Sequence, residues 1–176
     1  MNLKIDLKRG IEYHTQGQLN QALADYSQVI DSAAAEVVEL MCLALYYRGS
    51  VYQRLGEHQR LTDDMNRIIE CQGEIPAELL AHAYAMRGES YVAQKKLDAA
   101  VQDYTVIIES LEGLPTGMVL SAVLCRGETC FAQADYARAA EDLKQVLSSQ
   151  WLETTGHENA QELLAECEKR LRGSTS

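Results

Sequence analysis

The chain has 176 residues, 47% of them hydrophobic and 24% charged, with 16 Lys+Arg against 26 Asp+Glu and a net charge of -10. That apolar fraction supplies a buried core and excludes a disordered chain, while the acidic balance repels phosphate backbones and anionic lipid, so neither nucleic acid nor a membrane is an expected partner. The opening "MNLKIDLKRG" leaves no apolar stretch for a signal peptide and no later run could span a bilayer, which points to a cytoplasmic protein.

The dipeptide Arg-Gly stands at Arg9-Gly10, Arg48-Gly49, Arg87-Gly88 and Arg126-Gly127, each copy 39 residues after the last. In chain order this divides the sequence into units of about 1–33, 34–73, 74–112 and 113–151, each predicted to be a helical hairpin. The first turns at "QGQL" and the second at "LGEH", with Ala33 to Ala35 read as the start of a long helix. The third begins its first helix at Pro76 and turns at "QKKL", where Lys95 and Lys96 are solvated; the fourth begins just after Pro115 and turns at "QADY". Proline suits a first helical turn and spoils an interior, and these turns are short enough to join antiparallel helices. The helices that start at the prolines run about 18 residues, roughly 27 Å.

After the fourth unit, "TTGHENAQELLAECEKRLRG" carries Thr155 and Glu158 at capping-box spacing, Leu163, Leu164, Cys167 and Leu171 on one stripe, and Gly173 as a stop. A repeat stack must end with one polar face, so a capping helix is expected over 155–172, followed by a disordered tail at 173–176. The whole of 1–172 is expected to form a single all-α domain.

Counting from each glycine, five columns stay in register. Three residues on stand Tyr13, Tyr52, Tyr91 and Cys130, and twelve on stand Ala22, Leu61, Ala100 and Ala139. Fifteen on is an acid in every copy, Asp25, Asp64, Asp103 and Asp142, followed by Tyr26, Met65, Tyr104 and Leu143, and then by Ile30, Ile69, Ile108 and Leu147. This pattern resembles the tetratricopeptide repeat (TPR) family, whose signature has a glycine, a tyrosine three residues on, and then a small and an aromatic residue in the second helix. Gly88, Tyr91, Ala100 and Tyr104 match it, as do Gly10, Tyr13, Ala22 and Tyr26.

The resemblance implies a right-handed superhelical stack of four hairpins plus the cap. It departs from the family in its 39-residue period, where the family has 34, and the extra residues fit most simply into a longer first helix. The proline that normally ends a unit is absent, and Leu61, Thr62 and Met65 depart from the other copies, so the second hairpin is expected to pack less regularly.

Arg9, Arg48, Arg87 and Arg126 occupy a slot where the family usually has leucine, and each precedes its unit's aspartate by sixteen residues. We read the Arg and Asp columns as structural pairs that fix the register of two helices; the other reading is a row of arginines holding an acidic ligand. In the family, ligands lie along the concave face of the first helices. The corresponding positions are Lys4, Leu7, Lys8, Ile11 and His14, then Tyr46, Tyr47, Ser50, Gln53 and Arg54, then His82, Met86 and Glu89, and finally Cys125, Glu128 and Phe131. This face grades from basic to acidic with apolar anchors between, and would suit a peptide or amphipathic helix of another protein. Leu7, Ile11 and Tyr47 stand where a carboxylate clamp would need basic or amide groups.

Catalysis needs a nucleophile or an acid-base pair with a supporting group, and His14, His58, His82 and His157 are scattered without a ligand motif. Cys42, Cys71, Cys125, Cys130 and Cys167 form an odd set with no C-x-x-C, so reduced thiols are expected, with no metal or cofactor. The expectation is a non-catalytic interaction module. Its alternatives are a self-assembling homo-oligomer and, below that, a small-ligand-binding or regulatory subunit of an enzyme.

Overall fold

In a computed structural model, residues 2–32, 37–149 and 154–173 are described, with side chains of the last segment from Gly156 onward. The expected helix start at Ala33 to Ala35, the Thr155 capping box and the tail at 174–176 lie outside the described residues. Everything placed is helix or turn: α1 Leu3–Thr15, α2 Leu19–Ser32, α3 Val38–Leu55, α4 His58–Glu70, α5 Ala77–Ala93, α6 Leu97–Glu109, α7 Thr116–Ala132, α8 Tyr136–Ser148 and α9 Thr154–Gly173. They form two compact units, Met1–Gln94 and Lys95–Ser176. The first unit packs α1 on α2, α2 on α3, α3 on α4 and α4 on α5; the second packs α6 on α7, α7 on α8 and α8 on α9.

The 39-residue period is spent as the fourth repeat shows. Its first helix has 17 residues and its second has 13. They are joined by the turn Gln133–Asp135, and a connector at residues 110–115 precedes them. Pro76 and Pro115 sit just before α5 and α7 with extended ψ values of 144° and 136°, so each ends the connector and sets φ for the helix that follows. The turns share one backbone trick. Seven residues after each repeat glycine the chain enters the left-handed region, at Gly17 (φ 76°), Gly56 (71°), Lys95 (60°) and Ala134 (64°). There the helix end closes as a Schellman motif: Gln18 N–H donates to the Tyr13 carbonyl and Gly17 N–H to that of His14, with the same pairs at Glu57 and Gly56 and at Asp135 and Ala134.

The core is a stripe along each second helix. Tyr26, Met65, Tyr104 and Leu143 are almost wholly buried, and so are Val29, Ile68, Ile107 and Val146, three residues further on. One turn of helix puts those columns side by side facing the first helix, while Ile69, Ile108 and Leu147 lie half-buried at the margin. The second hairpin is not loosened by its departures. Leu61 and Met65 are fully buried, and the buried Thr62 hydroxyl donates 2.9 Å to the His58 carbonyl, so its polarity is satisfied within the helix. In the second unit α9 covers α8 with Ala160 and Cys167, and Leu163 and Leu164 pack beside them.

Candidate functional site

In the first, second and fourth repeats the Arg and Asp columns meet across the hairpin. Arg9 donates through Nε and Nη2 to the two Asp25 oxygens at 2.7 Å each, Arg48 does the same to Asp64 at 2.8 and 2.6 Å, and Arg126 to Asp142 at 2.9 and 2.8 Å. These are fork-on-fork pairs, and only arginine has the donor geometry to make them. For Arg126 the bond to Asp142 outweighs burial and holds the guanidinium firmly charged; for Arg48 burial works against the charge, and the Asp64 bond together with the charges of Asp64, Tyr52 and Asp31 overcomes it.

Another contact of the arginine column left no signature that repeat alignment alone would find. The remaining nitrogen, Nη1, reaches back 21 residues to the preceding second helix: Arg48 to Ser27 Oγ at 2.9 Å, Arg87 to Asn66 Oδ1 at 2.6 Å, and Arg126 to Thr105 Oγ1 at 3.3 Å. Each arginine is thereby a clasp between neighbouring helices. Ser27, Asn66 and Thr105 are one column, spaced by the repeat, and their only shared property is a short polar acceptor. The next residue in that column is Lys144, which instead meets Glu168 of α9 at 3.0 Å.

The first helices of the first unit, α1, α3 and α5, touch in sequence. In the middle of α3, Tyr46 and Tyr47 meet edge to face with centroids 5.5 Å apart, and Tyr46 lies 5.6 Å from the His82 ring on α5. Burial, with the charges of Tyr47 and Glu89 added, keeps the Tyr46 hydroxyl protonated above its ordinary range. Further along, Gln53 donates 2.7 Å to Glu89, and Arg54 donates 3.4 Å to the His14 carbonyl. His14 itself is pushed below the usual histidine range by burial and by Arg54. Towards the start of α3 an open cavity of ≈ 500 Å³ is lined by Lys4, Val37, Glu39, Leu40, Leu43 and Glu74.

The expected face residues fall into three sets. Lys4, Lys8, Gln53, Arg54, His82, Glu89 and Glu128 are exposed, and Ile11, His14, Tyr46, Tyr47, Ser50, Cys125 and Phe131 are half-buried. Leu7 and Met86 belong to the core of the first unit, at 7% and 8% exposure, because each points into the space between helices and not along the face. Tyr47 stacks at 5.9 Å on the fully buried Tyr26, the Ser50 hydroxyl is spent on the Tyr47 carbonyl, and Phe131 meets Tyr136 edge to face in the second unit. Glu39, Leu40 and Glu74 escape a repeat-based reading because the cavity they line forms where a connector passes a helix start. Among the described residues no group of three or more His, Cys, Asp or Glu is placed to hold a metal, and no helix is long and apolar enough to cross a membrane.

No protein-family model matches the sequence, and none of the curated proteins does. Solved structures do. TPR-like repeats from a Podosopora anserina protein of kinesin light chain type superpose with a TM-score of 0.73 at 15% identity, over 97% of this chain and 87% of that one. This chain has the TPR-like fold. BtubC from P. vanneervenii matches with a TM-score of 0.76 at 14% identity, over 92% of this chain and 70% of its own. The apo form of RapI matches with a TM-score of 0.81 at 11% identity over 98% of this chain, which spans 65% of RapI. At these identities the TPR-like likeness is one of fold alone.

Proposed function

We propose that this TPR-like chain is a cytoplasmic, non-catalytic interaction module that takes a peptide or amphipathic helix of a partner protein on the first-helix face of its first unit. The observation that carries this reading is the group formed by Tyr46, Tyr47 and His82, half-exposed or exposed aromatic rings flanked by the exposed polar side chains of Gln53, Arg54 and Glu89. Rigid rings with polar tips, set among groups that orient a ligand, are the usual anchors of protein recognition. Cys125, Glu128 and Phe131 on α7 are the equivalent positions in the second unit, and we take residues 1–172 to act as one domain.

The self-assembly alternative gains less support. Columns that bury small or neutral side chains in later repeats, Ala44, Ala83 and Ala122 or Val51, Ser90 and Thr129, hold Ile5 and Glu12 in the first, and both are exposed. Lys8 and Glu12 pair at 4.0 Å on this outer surface, which suits contact with water better than docking of another hairpin.

The test uses residues that support no core. His82→Ala with Gln53→Ala is expected to weaken partner binding tenfold or more with the melting temperature within a degree or two of the parent. Unchanged affinity in a folded double variant would place the site elsewhere. Tyr47→Ala is a poorer probe, since it also removes the stack on Tyr26.

A further inference from the structure

We infer that the cavity at the start of α3 is a subsite for one basic side chain, arginine or lysine, of a peptide held on the first-helix face; this deepens the peptide-binding reading and rests on it. The cavity holds ≈ 500 Å³, within the roughly 300–1,000 Å³ span of ligand clefts. Its lining divides by chemistry. Val37, Leu40 and Leu43 form a half-buried apolar wall, and Leu40 and Leu43 pack down on the core of the first unit, which fixes that wall. Exposed Glu39, in the first turn of α3, and exposed Glu74 bring two carboxylates, and exposed Lys4 of α1 brings one ammonium. None of these three side chains forms a hydrogen bond or ion pair with another described residue. Glu74 is placed by a turn: its N–H donates 3.0 Å to the Cys71 carbonyl, and Gly73 takes a left-handed φ of 92°, which glycine adopts without strain.

These unspent charges select the occupant. One ammonium against two carboxylates leaves one negative charge, in a chain whose net charge is -10, so the local and the long-range field both favour a cation. An aliphatic stem with a charged head matches the lining, since its methylenes cover Val37, Leu40 and Leu43 while the head reaches Glu39 and Glu74. The Lys4 ammonium repels a further cation and limits the subsite to a single basic residue. Position ties the subsite to the aromatic strip. Glu39, Leu43, Tyr46 and Gln53 stand at i, i+4, i+7 and i+14, one face of α3. At roughly 1.5 Å per residue, Glu39 and Tyr46 lie about 10 Å apart along the helix axis, a span that about three residues of extended chain cover. The ligand class is therefore a peptide with one Lys or Arg about three residues from the side chain that packs on Tyr46.

The experiment titrates N-acetyl-argininamide into the isotope-labelled full-length chain and follows backbone amide shifts by NMR. N-acetyl-citrullinamide, of the same shape with an uncharged head, and free leucine, a zwitterion, are the comparison probes. Saturable shifts at Val37, Leu40 and Leu43 are expected with the arginine probe, and about tenfold weaker binding with the citrulline probe. Glu39→Gln with Glu74→Gln is expected to weaken the arginine probe about tenfold, and Lys4→Ala to tighten it about twofold, with spectra that show each variant folded. Absent saturable shifts, citrulline bound as well as arginine, leucine bound more tightly than arginine, or weaker binding in Lys4→Ala would each overturn the subsite. His82→Ala with Gln53→Ala separates the two readings, because it is expected to bind the arginine probe as the parent does. A failed strip shows as unchanged partner affinity in that variant, whereas a failed subsite shows in the probe titration.

Discussion

A methyl group added at Gly10 would sit 2.7 and 2.9 Å from two carbons of the Tyr26 ring, whereas at Gly49 it would meet the flexible end of Met65 at 2.6 Å. The same repeat position therefore has two characters. Alanine favours a helix interior over glycine by about 1 kcal/mol, but forcing a fixed ring aside costs about 1–3 kcal/mol. Gly10→Ala is expected to lower stability in urea unfolding by about 1 kcal/mol or more, and Gly49→Ala to be neutral or stabilising as Met65 swings away; equal losses at both would refute the packing argument. The turn position makes the opposite case. Ala134 takes a left-handed φ of 64° where the first two repeats have glycine, a conformation that costs a residue with a Cβ roughly 1–2 kcal/mol. Ala134→Gly should raise the melting temperature by a few degrees, and a fall would show that the side chain matters more than the backbone.

At the scale of elements, the arginines do more than their spacing reveals. The sixteen-residue separation from Arg to Asp was legible because both partners keep their identity in every repeat. The reach-back to Ser27, Asn66 and Thr105 was not, since three different side chains serve one acceptor role. The same logic explains the overlooked column Val29, Ile68, Ile107 and Val146: it is apolar throughout but carries no distinctive residue, while its burial is more complete than that of Ile69 and Ile108. Burial then ranks the arginines, with side-chain exposures of 9% for Arg126, 14% for Arg48 and 43% for Arg9. Removing one member of a buried ion pair leaves the other charge without compensation, which costs about 3 kcal/mol. Arg126→Leu and Arg48→Leu are thus expected to lose about that much in urea unfolding, and Arg9→Leu distinctly less because its guanidinium is largely exposed and its pairing is weakened by water. Equal losses at all three would remove burial as the controlling variable.

For the whole molecule, period and composition announced an all-helical repeat, because a 39-residue recurrence of small, acidic and apolar positions can be met only by stacking like units. The binding face was less legible. Spacing on a first helix cannot separate a residue that points along the face from one that turns inward, as Leu7 and Met86 do, nor can it foresee that Tyr47 is drawn onto Tyr26. Between the exposed Lys4 and Lys8 of α1 and the core, α3 and α5 present a short strip of half-buried tyrosines with exposed His82, Gln53, Arg54 and Glu89. The most direct test of that strip places a photo-crosslinking amino acid at His82, at Gln53 or at Gln59, an exposed residue on the second helix α4, and irradiates the chain in a lysate of its native cell. One crosslinked protein is expected from positions 82 and 53 and none from position 59; crosslinks from position 59 alone, or from all three alike, would contradict binding at the strip.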